Sequence, residues 1–182
     1  MIRNNKSIVA GLVFILVCLG GYTLYTVYKK SVAINESTKS IFADSKDDTV
    51  ASYTDLNGNV ISLEQYLGKI LVVTSWASWS PFSKDDLMTI SEMASQQDSN
   101  KVAFIAINRK ESREQAQRYA NTLPALGSVV VALDPTDHFY TSIGGYAMPE
   151  TVIYNQKGDV VNHIRGVIKH DELKSNIDEI LK

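Results

Sequence analysis

The sequence predicts an α/β fold, a central mixed β-sheet flanked by helices. Three apolar runs rich in β-branched residues, at 70–75, 102–107 and 129–133, have the composition of strands buried on both faces. Segments with helical periodicity separate these runs, and the resulting βαβαβ order favours parallel strands joined by crossover helices. Two further apolar runs, at 151–154 and 160–164, surround a turn-forming sequence and predict an antiparallel hairpin near the carboxyl end.

Local signals predict the connecting elements. Asn57-Gly58 lies between short apolar runs at 50–54 and 60–62, a pattern typical of a β-hairpin. Ser80 is predicted to cap the helix after the first central strand, with Pro81 in the first helical position, where a missing N–H costs no hydrogen bond. The remaining predicted helices are a turn at 63–67 and helices at 111–122, 136–143 and 170–181.

Residues 1–30 are predicted to be an N-terminal membrane anchor. Residues 8–28 carry no charge, and as a helix they would be about 31 Å long, which matches a bilayer hydrocarbon core. Cations flank this run on both sides, and we expect the amino end to lie inside. The polar segment 31–48 is then a linker, and residues 49–182 form an extracytoplasmic domain of a single-pass membrane protein.

Two other readings of the amino-terminal segment remain open. A cleaved signal peptide would have its apolar region at 8–19, but no A-x-A-like cleavage site follows. A lipoprotein signal would use Cys18, but Val17 before it is a poor match to the small residue expected there.

Charge and composition exclude several functions. The net charge is −2 and no basic stripe occurs, so we expect no nucleic acid partner. Cys18 is the single cysteine, so no intrachain disulfide can form, and the three histidines are scattered. The sequence therefore predicts neither a metal site nor a bound cofactor.

The segment Trp76-Ala77-Ser78-Trp79-Ser80-Pro81-Phe82-Ser83 follows the first central strand and precedes a helix. Together with Gly68-Lys69 before the strand and Met148-Pro149-Glu150-Thr151 before the hairpin, it resembles membrane-anchored thioredoxin-like proteins of the TlpA/ResA type, which include cytochrome c maturation reductases. The resemblance covers about residues 50–182 and implies a thioredoxin-like fold.

The resemblance also implies a role for each matching residue. The nucleophilic cysteine of the family falls at Ser80 and the resolving cysteine at Ser83. A glutamate that moves protons falls at Asp86. The proline that faces the active site, usually after a cis peptide bond, falls at Pro149, and Met148 before it would offer its backbone to an extended client peptide.

Serine at both cysteine positions changes the expected chemistry, because disulfide exchange requires a thiolate. We expect a redox-inactive relative that binds client or partner polypeptides near Pro149, with Trp79, Pro81 and Met148 in the binding surface. Purely structural roles are the alternatives: the serines would cap the helix, Trp79 would pack in the core, and Asp86 would be a solvated acid on the helix surface. A serine nucleophile would need a base, and no motif places a histidine beside Ser80.

Two alternative functions remain. The chain could be a genuine thiol-disulfide reductase represented as a double Cys→Ser variant, since paired replacement blocks turnover. It could also be a structural component of an envelope assembly.

Overall fold

The computed structural model describes residues 21–23, 25, 26, 29 and 53–182. The chain divides into two units, residues 1–36 and residues 37–182. In the first unit the described residues are helical. None of the helices within the described residues is both long enough and apolar enough to span a bilayer. Most of the predicted anchor at 8–28, and all of the predicted linker at 31–48, lie outside the described residues.

Within residues 53–182, strands and helices alternate as the sequence predicts. The strands are β1 (Tyr53–Asp55), β2 (Val60–Ile61), β3 (Ile70–Trp76), β4 (Val102–Arg109), β5 (Val130–Asp134), β6 (Glu150–Tyr154) and β7 (Val160–Arg165). The helices are a 3₁₀ turn (Leu63–Tyr66), α1 (Ser83–Gln96), α2 (Arg113–Ala120), α3 (His138–Ser142) and α4 (His170–Ile180).

The seven strands form one mixed sheet in the order β2-β1-β5-β4-β3-β6-β7. The three inner strands β5, β4 and β3 are parallel, whereas β6 pairs antiparallel with β3 and β7 antiparallel with β6. All seven residues of β3 are buried, as its uninterrupted β-branched composition predicts. The predicted α/β fold with a mixed sheet is therefore confirmed.

Helices cover the sheet on both faces, and each face has its own apolar core. On one face, Leu87 and Ile90 of α1 and Leu173 and Ile177 of α4 pack against a cluster that includes Val72. These helical residues recur at three- and four-residue spacing, so each helix presents one apolar stripe to the sheet. On the other face, α3 and the 3₁₀ turn cover alternate residues of β3 and β4.

The structure corrects two predicted helix boundaries. The first long helix begins at Ser83 with Phe82 in the N-cap position, and no side chain caps it, so the predicted cap at Ser80 is wrong. The helix predicted at 111–122 is shorter, because Ser112 is its N-cap and accepts a hydrogen bond from Gln115 N. Glu111 therefore lies before α2, where its side chain is free to face the neighbouring loop.

Candidate functional site

Three loops meet at one end of the sheet. The loop after β3 lies beside the loop before β6, because these strands are antiparallel and Ser75 pairs with Glu150. The loop after β7 joins them, since Gly166 N donates to Pro149 O at 2.9 Å. The Met148–Pro149 peptide bond is cis, as the resemblance implies. The predicted site residues on 79–86 and 148–149 therefore lie close together.

The two serines are almost fully enclosed, and each has a hydrogen bond within the site. Ser80 is 3% exposed, and its Oγ donates to Met148 O at 3.1 Å. Ser83 is 0% exposed, and its Oγ accepts from Ala77 N at 3.2 Å. The Ser80 hydroxyl binds a carbonyl from a distant loop instead of the first turn of α1, which explains why the predicted cap does not form.

Asp86 is a buried carboxyl on the first turn of α1. Thr74 Oγ1 donates to its Oδ2 at 2.7 Å, and Ile168 N donates to its Oδ1 at 3.0 Å. Burial raises the pKa of Asp86 to about 6, although both hydrogen bonds oppose that shift. The reading of Asp86 as a solvated acid on the helix surface is therefore wrong. The carboxyl lies beneath the loop after β7 and connects that loop to β3.

Large apolar side chains around the serines face solvent. Trp79 is 61% exposed, Phe82 55% and Tyr146 77%, and the neighbouring Pro81 is also exposed. Trp76, by contrast, is fully buried and stacks on an aromatic ring of α2. Isolated exposed apolar residues are ordinary, but several large ones around one site are typical of surfaces that bind other molecules.

Met148 and Pro149 form the opposite side of the site. Pro149 is buried, so it shapes the edge instead of presenting its ring to solvent. Met148 is half-buried, and its carbonyl accepts the Ser80 hydroxyl. Its backbone N–H has no hydrogen-bond partner among the residues that the structure describes. Of the two polar backbone groups of Met148, the carbonyl therefore has a hydrogen bond within residues 53–182 and the N–H does not.

Glu150 holds the loop that precedes Met148, a role that the sequence pattern did not reveal. Its carboxylate is fully buried, and Oε1 accepts from Tyr146 N at 2.7 Å and Ala147 N at 2.6 Å. His163 Nε2 lies 2.6 Å from the other oxygen, and Arg165 Nε lies 3.9 Å from it. Burial lowers the pKa of His163 despite its contact with Glu150. The sequence signal that could have revealed this role is the acidic residue directly after Pro149, at the start of a buried strand.

A second support for the same loop comes from α3. Tyr140 Oη donates to Ala147 O at 2.9 Å, and a Cβ placed on Gly145 would come within 2.5 Å of the Tyr140 ring. Arg109 lies over that ring at 3.7 Å and pairs with Asp137 through two hydrogen bonds. The loop therefore rests directly on an aromatic ring that is itself fixed by an ion pair.

Glu111 holds the loop on the other side of the site, although its sequence context predicts that it belongs to a helix. It accepts from Ser78 N at 2.8 Å, from Asn108 Nδ2 at 2.6 Å and from Gln115 Nε2 at 2.7 Å. These donors come from the loop after β3, from β4 and from α2. The carboxylate thus ties the segment that carries Trp79 to two structural elements.

The chemistry available to this site is limited by its atoms. No cysteine occurs after residue 18, so the loops of this site supply no thiol for disulfide exchange. Neither serine has a histidine among its hydrogen-bond partners, and both are buried, so neither is an activated nucleophile in this geometry. Hydrogen bonding to a bound molecule and apolar contact with it are what the site offers.

Comparisons with known proteins agree with this fold. Residues 42–181 match the Redoxin family. The thiol-disulfide oxidoreductase ResA of Geobacillus thermodenitrificans is 22% identical over 180 residues, covering 98% of each chain. The thioredoxin-like protein YneN of Bacillus subtilis is 25% identical over 178 residues, covering 95% of this chain and 98% of its own.

Among solved structures, a putative thiol:disulfide interchange protein DsbE from Chlorobium tepidum superposes with a TM-score of 0.66. The two are 21% identical, and the superposition covers 72% of this chain and 92% of that one. The chain has a thioredoxin-like α/β fold, its homologues include thiol-disulfide oxidoreductases, and it belongs to the redoxin family.

Proposed function

We propose that this chain is a redox-inactive relative of the thiol-disulfide oxidoreductases that binds an extended segment of another polypeptide. The observation that carries the proposal is the Met148 N–H, which has no hydrogen-bond partner within residues 53–182, in a site whose loops expose the rings of Trp79, Phe82 and Tyr146. An extended peptide satisfies such a backbone group by adding a strand-like hydrogen bond, and apolar side chains provide the remaining contact. Trp79, Pro81, Met148 and the turn at Pro149 form the proposed binding surface.

The absence of redox activity follows from the atoms at positions 80 and 83. In a C-x-x-C site a thiolate attacks a disulfide, and the second sulfur releases the product. The hydroxyl groups of Ser80 and Ser83 form no S–S bond, and each is already hydrogen bonded inside the protein. We expect the purified chain to reduce insulin with dithiothreitol no faster than dithiothreitol alone. Turnover above that background would contradict the proposal.

Binding is tested with an unfolded protein that has no free thiol. The probe is fluorescein-labelled, reduced and carboxymethylated α-lactalbumin, titrated with the full-length chain in dodecylmaltoside and followed by fluorescence anisotropy. We expect a saturable increase that Trp79→Ala and Phe82→Ala each weaken. Leu67→Ala is the matched control, because Leu67 is 49% exposed and precedes β3, at the opposite end of that strand from the site.

Two outcomes would contradict the binding proposal. One is the absence of saturable binding by the wild-type chain. The other is an equal loss of affinity in Leu67→Ala, which would show that the probe adheres to exposed apolar residues wherever they lie.

We further propose that residues 8–28 anchor the chain in a membrane and that residues 49–182 lie outside the cytoplasm. Support comes from the length of the uncharged run and the cations on both sides of it. Extraction of isolated membranes with alkaline carbonate tests the anchor. Protease treatment of intact spheroplasts, in a separate sample, tests its orientation. Release of the chain by carbonate, or protection of residues 49–182 from protease, would refute the anchor or its orientation.

A further inference from the structure

The orientation of the Ser80 hydroxyl is set by the backbone of its own turn. Ser80 N donates to Ala77 O at 3.1 Å, and Ser83 N donates to Ser80 O at 3.3 Å. These bonds hold the residue in the turn before α1, with 3% of its surface exposed. Its hydroxyl then reaches across the site to the carbonyl of Met148. The bond joins two loops that are far apart in the sequence.

A strand-like contact at Met148 would use two backbone groups. An extended partner pairs with one residue of an edge by accepting its N–H and donating to its C=O. The Met148 N–H has no hydrogen-bond partner in the described part of the domain, but the Met148 carbonyl already accepts the Ser80 hydroxyl at 3.1 Å. A carbonyl oxygen has two lone pairs, so the Ser80 hydroxyl occupies one of them and shares the oxygen with any incoming peptide N–H.

We propose that Ser80 is an internal competitor for the Met148 carbonyl, and that its hydrogen bond lowers the affinity for bound polypeptide. This inference rests on the proposed function and adds regulation of the same surface. It depends on the residue being serine, because a hydroxyl is a strong donor whereas a thiol at this position is a weak one. Oxygen at position 80 therefore removes redox chemistry and also weakens backbone pairing at the site.

Ser83 has no such effect, because its hydroxyl oxygen accepts a hydrogen bond, whereas the Ser80 hydroxyl donates one. Its Oγ accepts from Ala77 N, and the residue is fully buried beneath the loop. The hydroxyl supports the loop after β3 and does not occupy a group that a partner would use. The proposed competition therefore belongs to one of the two serines alone.

The experiment titrates carboxymethylated α-lactalbumin with the full-length wild type and with Ser80→Ala and Ser80→Cys. Both variants remove the strong donor, and Ser80→Cys also keeps the side chain close to its original size. Because the probe has no free thiol or disulfide, the cysteine cannot capture it covalently. We expect the dissociation constant to fall by about threefold to tenfold in both variants, the effect of releasing one hydrogen bond.

A thermal unfolding scan of the same proteins separates competition from a merely structural role. We expect Ser80→Ala to lower the unfolding midpoint while it raises affinity, because the lost bond stabilises the free protein. Ser175→Ala, an exposed serine on α4, is the control and leaves both quantities unchanged.

The failures of the two proposals are distinguishable. Binding by the wild type with unchanged or weaker binding by both Ser80 variants would overturn the competition and leave the proposed function intact. Absence of binding by the wild type and by both variants would overturn both.

Discussion

Replacing Asp86 by asparagine should stabilise the protein at neutral pH. Asp86 is fully buried, and its carboxyl accepts hydrogen bonds from Thr74 Oγ1 and Ile168 N. Asparagine has nearly the same shape, and its amide can accept one of these bonds and donate in the other direction. The substitution therefore removes a buried ionisable group and disturbs the packing around it very little.

The size of the effect follows from the pKa. Burial raises the pKa of Asp86 from the ordinary 3.8 to about 6 in the folded chain, and each pH unit of difference corresponds to about 1.36 kcal/mol. The folded state therefore binds the proton more tightly than the unfolded state, so stability falls as pH rises from about 4 to about 6. Above this window the carboxylate costs up to about 3 kcal/mol, which asparagine does not incur.

Urea unfolding of the full-length wild type and Asp86→Asn measures this difference directly. We expect the variant to be more stable at about pH 7.5 and the advantage to disappear near pH 4. His163 has the opposite pH dependence, because its pKa is lowered and its stabilising neutral form is lost in acid. Comparing the two proteins at each pH cancels that contribution. Asp85→Asn, on the exposed side of α1, is the control and should change stability little at either pH.

A loss of stability in Asp86→Asn at about pH 7.5 would refute this reasoning. It would mean that the two hydrogen bonds to the carboxylate stabilise the fold more than its burial destabilises it. An advantage of constant size at all pH values would refute it too, because the effect would then not come from ionisation.

Two further predictions concern the scaffold. Ser80→Cys combined with Ser83→Cys, in a Cys18→Ser background, should form a disulfide that dithiothreitol reduces, because it restores C-x-x-C spacing at the start of a helix. This variant should gain insulin reductase activity, and two thiols that stay free after oxidation would contradict the prediction. Trp76→Ala should lower the free energy of unfolding by about 3 to 5 kcal/mol because the ring is fully buried. Trp79→Ala, at an exposed ring, should change it by less than about 0.5 kcal/mol. Urea titrations that rank the two variants in the reverse order would contradict the burial of Trp76 and the exposure of Trp79.

The sheet was predictable because its strands carry their own signal. The β-branched run of β3 needs burial on both faces, and that requirement is visible without knowing any partner. The Asn57-Gly58 hairpin was predictable because this dipeptide favours a tight turn whatever surrounds it. In both cases the deciding interactions are local or depend only on average hydrophobicity.

The site was harder to predict because its hydrogen bonds join distant segments. Ser80 looked like a helix cap, but its partner is the carbonyl of Met148, 68 positions away in the sequence. Glu111 and Glu150 were missed for the same reason, because their donors come from several strands and loops. The resemblance assigned Asp86 to the site, but only the fold shows that its carboxyl is buried.

The backbone of residues 145–147, just before Met148, is held in one conformation by its contacts. Gly145 lies against the ring of Tyr140, whose hydroxyl donates to the carbonyl of Ala147, and Glu150 accepts hydrogen bonds from the N–H groups of Tyr146 and Ala147. A ligand that docks here meets a preorganised edge, so ordering of the main chain adds almost nothing to the entropic cost of association. The remaining cost comes from side chains, chiefly the exposed rings of Trp79 and Phe82. Substitutions at Tyr140 would then weaken association without any contact with the ligand, by returning mobility to a segment that folding had made rigid.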